Sequence, residues 1–205
     1  MLEFFLKGGP LMWPLLFCSL VTVAIAMERF FVFQGAKVNT SNLLTRVKKM
    51  IAEESFEKAE RMCRKTRGPV ANVIAVTLHV RGRQVAEKEK IVSLAGSREI
   101  RGIGRRVRLL GIIAHVSPLL GLLGTVTGMI RAFREIQGLG GQVDASVLAG
   151  GIWEALITTA TGLAIAIPAM LAYHYFEGEI ERFTSEMKEA IQQVFEWTDA
   201  DEAGK

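Results

Sequence analysis

The stretch "PLLGLLGTVTGMIRAF", residues 118–133, decides how the rest of the chain is read. It is apolar enough to lie in a bilayer, yet Gly121 to Gly128 holds three glycines and two threonines, and Pro118 stands just before them. Glycine and proline weaken helices in water. In lipid, small residues instead let helix backbones approach closely, because packing replaces the hydrophobic effect as the driving force. The stretch therefore reads as a membrane helix that carries a contact face.

Working outward, Leu109 to Ile130 is 22 residues without a charge, Ala155 to Phe176 is another 22, and Gly8 to Met27 is uncharged as well. At ~1.5 Å per residue, such lengths cross a hydrocarbon core of ~30 Å. Mean hydropathy is +0.28 although 22% of residues are charged, so the charge is concentrated between spans. The first span has Glu3 ahead of Lys7 and no small-x-small cleavage site before "MERFF", so it is expected to be retained rather than cleaved as a secretory signal. The expected class is all-α: a polytopic membrane protein with three transmembrane helices and long helices that extend into the cytoplasm.

The expected organisation is an outer interfacial segment at 1–8, spans at 9–33, 108–132 and 148–176, a cytoplasmic helical segment at 34–107, a short periplasmic link at 133–147, and a cytoplasmic amphipathic helix with tail at 177–205. Topology follows from basic residues. Arg29 to Arg108 holds 19 Lys/Arg against 7 acids, whereas the region between the uncharged stretches of spans two and three holds only Arg131 and Arg134. The positive-inside rule places the large segment and the carboxyl end in the cytoplasm and the amino end outside. The basic run Arg98 to Arg108 reads as an inner-leaflet anchor rather than a nucleic-acid patch.

Within the cytoplasmic segment, "SNLLTRVKKMIAEE" has apolar residues at helical spacing, Ser55 is placed to cap "FEKAERMCRK", and Gly68-Pro69 closes that helix. "VANVIAVTLHV" reads as a buried helix. A helix from "QVAEKEK" is expected to run into span two despite Gly96, Gly102 and Gly104. Ile180, Phe183, Met187, Ile191 and Val194 mark an amphipathic continuation of span three. Cys18 and Cys63 form no evident framework and are expected to be free thiols.

Two small-residue faces stand out. Ala114, Pro118, Gly121, Thr125, Gly128 and Ala132 recur at spacings of three and four in span two, with Gly124 beside them. Ala155, Thr159, Gly162, Ala166 and Ala169 do the same in span three, which also carries Pro168. Such faces either pack the two spans on each other or line a surface for a further helix. Glu154, near the outer boundary of span three, is a functional candidate because an acid at membrane depth is costly. It could also pair with Arg131 or Arg134. Glu154, Thr158 and Thr161 share a stripe at i, i+4 and i+7. His115 and His174 read as packing or interface residues, and Trp153 and Tyr173 as belt aromatics.

"GGPLMWPLLFCSLVTVAIAMER", "SPLLGLLGTVTGMIRAF" and "EALITTATGLAIAIPAMLAY" resemble the three spans of the ExbB/TolQ branch of the MotA/TolQ/ExbB proton-channel family, in order and spacing. The resemblance is weak over residues 35 to 100. It implies a multi-pass subunit of the bacterial inner membrane that forms a pentamer around single-span helices of an ExbD/TolR-like partner. Ion flow would be coupled to motion, carried outward by a TonB- or TolA-like protein. It also implies pore threonines at Thr125 and Thr159 and a polar mouth residue at Glu154. Thr158 and Thr161 stand where relatives have apolar residues, and His115 departs too.

The residues add one constraint. The uncharged stretches of spans one and two contain no acid and span three holds only Glu154, while threonine does not titrate near neutral pH. A mid-membrane carboxylate must then come from a partner aspartate facing the small-residue lining. Added threonine oxygen at Thr158 and Thr161 leaves a sodium-driven member of the family as one alternative. A passive scaffold is another. A secondary transporter built on Glu154 is disfavoured by the absence of an internal repeat. No nucleophile–base, phosphate-loop or metal pattern points to an enzyme or a cofactor.

Overall fold

The computed structural model describes residues 8–37, 39–138 and 145–203. Helices and the short turns that join them make up these residues, with no strand among them. In chain order the helices are α1 (Met12–Ala36), α2 (Thr40–Ala52), α3 (Phe56–Lys65), α4 (Pro69–His79), α5 (Val85–Gly138) and α6 (Ala145–Ala203). Three helices are long and apolar enough to cross a membrane, with 18-residue windows of mean hydropathy 2.0 in the first and 1.9 in the others. Residues 1–7 of the expected interfacial segment and 139–144 of the expected link lie outside the described residues. The rest of the link, 133–138 and 145–147, is helical, so it is shorter than expected because α5 and α6 run on past the uncharged stretches.

The chain divides into two compact units. The first combines Met1–Glu28 with Arg106–Tyr175. Here α1 buries Leu15 completely, and Cys18 and Val21 pack with Ile113, Ala114, Ile165 and Ala169. Thr22 is buried yet polar, and its hydroxyl donates to the Cys18 carbonyl at 2.8 Å, so it needs no outside partner. The reverse faces are apolar and exposed: Phe17 and Leu20 on α1, Leu119 and Leu122 on α5, Leu156 and Leu171 on α6. A polypeptide with such faces on every side is built for lipid or for other chains. Pro10 lies before α1 and Pro14 in its first turn, where a missing N–H costs no helical bond.

The second unit combines Arg29–Arg105 with Phe176–Lys205. Leu43, Leu44, Val47 and Ile51 of α2 are buried, as are Ala59 and Cys63 of α3 and eight residues of α4 from Pro69 to Leu78. Phe33 is stacked between Phe176 at 5.2 Å and Phe183 at 5.9 Å. Phe183, Met187 and Val194 are buried as the amphipathic pattern requires, with Ile180 and Ile191 half-buried beside them. Gly96, Gly102 and Gly104 do not break α5, which runs unbroken for 54 residues. Each glycine costs about 1 kcal/mol in a helix interior, too little to stop a helix held along its length by packing.

One local expectation fails. Ser55 occupies the position before α3, but its side chain makes no capping bond. Glu54 adopts φ 53°, and the Ser55 hydroxyl donates back to the Glu53 carbonyl at 3.3 Å. Asn39 caps instead for α2, its Oδ1 accepting from the Asn42 N–H at 3.1 Å.

Both cysteines are free. Burial pushes the Cys63 thiol up to about 11. At pH 8 it is therefore almost wholly protonated, and only the thiolate is nucleophilic. In a Cys18→Ser background, Cys63 should resist maleimide at pH 8 until denaturant is added. Rapid labelling of the folded protein would contradict this packing.

Candidate functional site

The small-residue faces of α5 and α6 meet each other within the first unit. A Cβ added at Gly162 would lie 2.6 Å from the Ser117 carbonyl oxygen and 3.0 Å from the Gly121 Cα. One added at Gly121 would lie 3.0 Å from the Thr159 Cα. The obstructing atoms are backbone, so they cannot swing aside. The two helices touch main chain to main chain at this point, and only glycine permits it. Gly128 lies against Ala155, and Gly124 makes room for the Thr158 side chain. Ala155, Ala166 and Ala169 are buried along the same line.

Pro118 is half-buried, and its missing N–H leaves the Ala114 carbonyl without its helical donor. Next to it, Ser117 is fully buried and its hydroxyl has no partner among the described residues. Pro168 is exposed and lies off the seam. The helix that occupies the glycine face of span two is thus span three of the same chain. Of the two readings left open by the pattern, mutual packing accounts for Gly121, Gly124, Gly128 and Gly162.

The threonines divide. Thr159 is half-buried at the seam edge and donates across it to the Gly121 carbonyl at 2.8 Å. Thr125 is half-buried and donates to the Leu122 carbonyl of its own helix at 2.6 Å. Thr161 donates to Ile157 at 2.8 Å. Thr158 is 1% exposed, and its hydroxyl contacts the carbonyls of Glu154 at 2.8 Å and Gly8 at 3.0 Å. The stripe of Glu154, Thr158 and Thr161 is therefore not one accessible surface, because the amino-terminal turn covers its middle member.

A hydroxyl has one proton to donate and lone pairs with which to accept. At Thr125 and Thr159 the proton is committed and the lone pairs are not. Such oxygens can receive a hydrogen bond from a protonated carboxylic acid as they stand, whereas donating to a carboxylate would require breaking the bond each already makes. Together they favour the neutral form of an acid placed beside them.

Glu154 is half-buried and pairs with Arg131 at 2.7 Å, as one of the two sequence readings has it. His115 donates through Nδ1–H to the Gly111 carbonyl, 2.7 Å away, and the His174 ring packs edge-on to Tyr173 at 5.1 Å. Both fit packing roles. Among the described residues no group of His, Cys, Asp and Glu could hold a metal. Sequence reasoning missed Gly8, Gly9 and Ser117. The doubled glycine ahead of Pro10 was a usable signal; a single buried serine was not.

Residues 41–189 match the family model described as the MotA/TolQ/ExbB proton channel family. The chain is 33% identical to biopolymer transport protein exbB1 of Vibrio cholerae over 198 residues, covering 92% of this chain and 84% of that one. It is 46% identical over 85 residues to the Tol-Pal system protein TolQ of Haemophilus influenzae, 42% of this chain and 37% of that one. Against biopolymer transport protein ExbB of Neisseria gonorrhoeae the identity is 41% over 78 residues, 38% of this chain and 35% of the other.

Proposed function

Because this chain belongs to the MotA/TolQ/ExbB proton channel family, in its ExbB/TolQ branch, and is a multi-pass membrane protein, we propose that it is the ring-forming subunit of an inner-membrane motor driven by proton flow. Five copies would surround the single-span helices of an ExbD/TolR-like partner. A TonB- or TolA-like protein would carry the resulting motion to the outer membrane. The amino end would face the periplasm and the carboxyl end the cytoplasm.

One observation carries the reading. Apart from Glu28 at the inner end of α1, the spans hold no acid except Glu154, while Thr125 and Thr159 have their protons committed and their lone pairs open. That arrangement needs a carboxyl group from outside and favours its protonated state. A partner aspartate would take up a proton there and release it on moving away. The exposed apolar faces of all three spans give copies and partner somewhere to pack.

Sodium is a hard cation that replaces lost water with several oxygen ligands. The oxygen surplus that favoured it includes Thr158, which is buried against Gly8 and offers nothing to a passing ion. The proton is therefore preferred. A passive scaffold would need neither threonine.

The test is flux in liposomes that contain this chain and its partner, under separate proton and sodium gradients. Flux driven by protons without sodium, unchanged in Thr161→Ala, supports the reading; strict dependence on sodium refutes it. The ring itself is expected as a pentamer by native mass spectrometry in detergent, and a stable monomer or dimer would refute it.

A further inference from the structure

The turn ahead of α1 touches the site at two points. Gly8 is buried, and its carbonyl accepts the Thr158 hydroxyl at 3.0 Å. Gly9 adopts φ 70°, in the left-handed region that side chains disfavour. A methyl group at Gly9 would overlap the Glu154 carboxylate and stand 3.3 Å from Arg131 Nη1. The Met12 N–H donates to the Gly9 carbonyl at 3.2 Å, which ties the turn to α1. Thr158 can receive Gly8 only because Gly124 opposite it has no side chain. Segments from all three spans thus converge on one carboxylate, at the end of the unit where it pairs with Arg131 at 2.7 Å.

We propose that Gly9 is a positioning residue for Glu154: the Gly8–Gly9 turn, docked on Thr158, leaves the carboxylate only the place in which it faces Arg131. This rests on the reading of Glu154 as the acid at the mouth of the ion path. Glu154 is half-buried, so without the turn its flexible side chain has other rotamers open to it. The turn removes that freedom before an ion arrives, which is how a polar group is made ready for a charge at low cost. Thr158, a departure from the family's apolar residue, then has a role in docking rather than in ion contact.

The experiment measures flux against ion concentration in liposomes that contain the chain and its partner. A site that binds the incoming ion sets the half-saturating concentration, whereas loss of competent complexes lowers only the maximum. Gly9→Ala should raise the half-saturating concentration about tenfold with maximal flux and oligomer kept. Thr158→Val keeps the side-chain shape, removes the docking bond and places no strain on Gly9; it should shift the same quantity about threefold. Glu154→Gln provides the reference shift. If Gly9→Ala does not assemble, Thr158→Val decides alone. A lower maximum with unchanged half-saturation in these variants would make the turn structural only and overturn the proposal. So would unchanged curves for both while Glu154→Gln shifts. If Glu154→Gln itself changes nothing, the mouth reading fails and the positioning role fails with it.

Discussion

Replacing Thr159 with valine is expected to lower ion flux by about a hundredfold while the oligomer remains intact. Valine nearly matches threonine in shape, so the seam keeps its packing. What disappears is the hydroxyl that donates to the Gly121 carbonyl at 2.8 Å and offers lone pairs at the seam edge. The Gly121 carbonyl retains its own helical donor, so the cost in stability is on the order of 1 kcal/mol. The cost to conduction is larger. A protonated partner acid would meet a methyl group where it had an acceptor, and an unsatisfied buried donor costs ~1–3 kcal/mol, one to two powers of ten in rate. Thr159→Ser should restore most of the flux because it restores the oxygen. Wild-type flux in Thr159→Val would favour a scaffold; a broken oligomer would reveal a role in packing alone.

The second large effect concerns folding. Gly162→Leu is expected to leave no assembled protein. Its Cβ alone would be placed 2.6 Å from the Ser117 carbonyl oxygen, well inside contact distance, and the remaining side chain has no free volume on the α5 side. The helices would have to separate along the whole seam, which would undo the Gly121 and Gly128 contacts and the Thr159 hydrogen bond. Gly162→Ala brings the same Cβ against the same backbone oxygen, so it should also weaken the seam, by more than the about 1–3 kcal/mol of ordinary side-chain overpacking but by less than leucine. Size-exclusion profiles and thermal inactivation of the two variants test the grading. A Gly162→Leu variant that assembles normally would refute the main-chain contact.

How much of this could be read from the residues differs by level. Three spans of about 20 uncharged residues leave few alternatives, so fold class and span order were plain. The small faces were plain too, since spacings of three and four mark one side of a helix. Which surface they meet was not, because Gly121 serves equally well against α6 or a partner helix. Only the distances to Thr159 and Ser117 decide it. Thr158 and Thr159 look alike in sequence, and a turn about 150 positions away separates their fates. Ser55 misled because a capping residue is recognised by type, whereas the bond depends on the φ 53° turn at Glu54.

The seam also implies an unusual thermal signature. In the second unit, Val70, Ile74 and Leu78 are buried in a helical cluster that water would enter on unfolding, so its melting should carry a positive heat-capacity step. Parting Gly121 from Gly162 inside a bilayer exposes methylene and methyl groups to acyl chains instead. No water is reorganised, and the heat capacity of that event should be close to zero. Calorimetry in lipid should therefore resolve a step from one unit and a nearly flat baseline under the other. Cooling or mild denaturant, which act through hydration, should loosen the first of these and leave the glycine contact almost untouched.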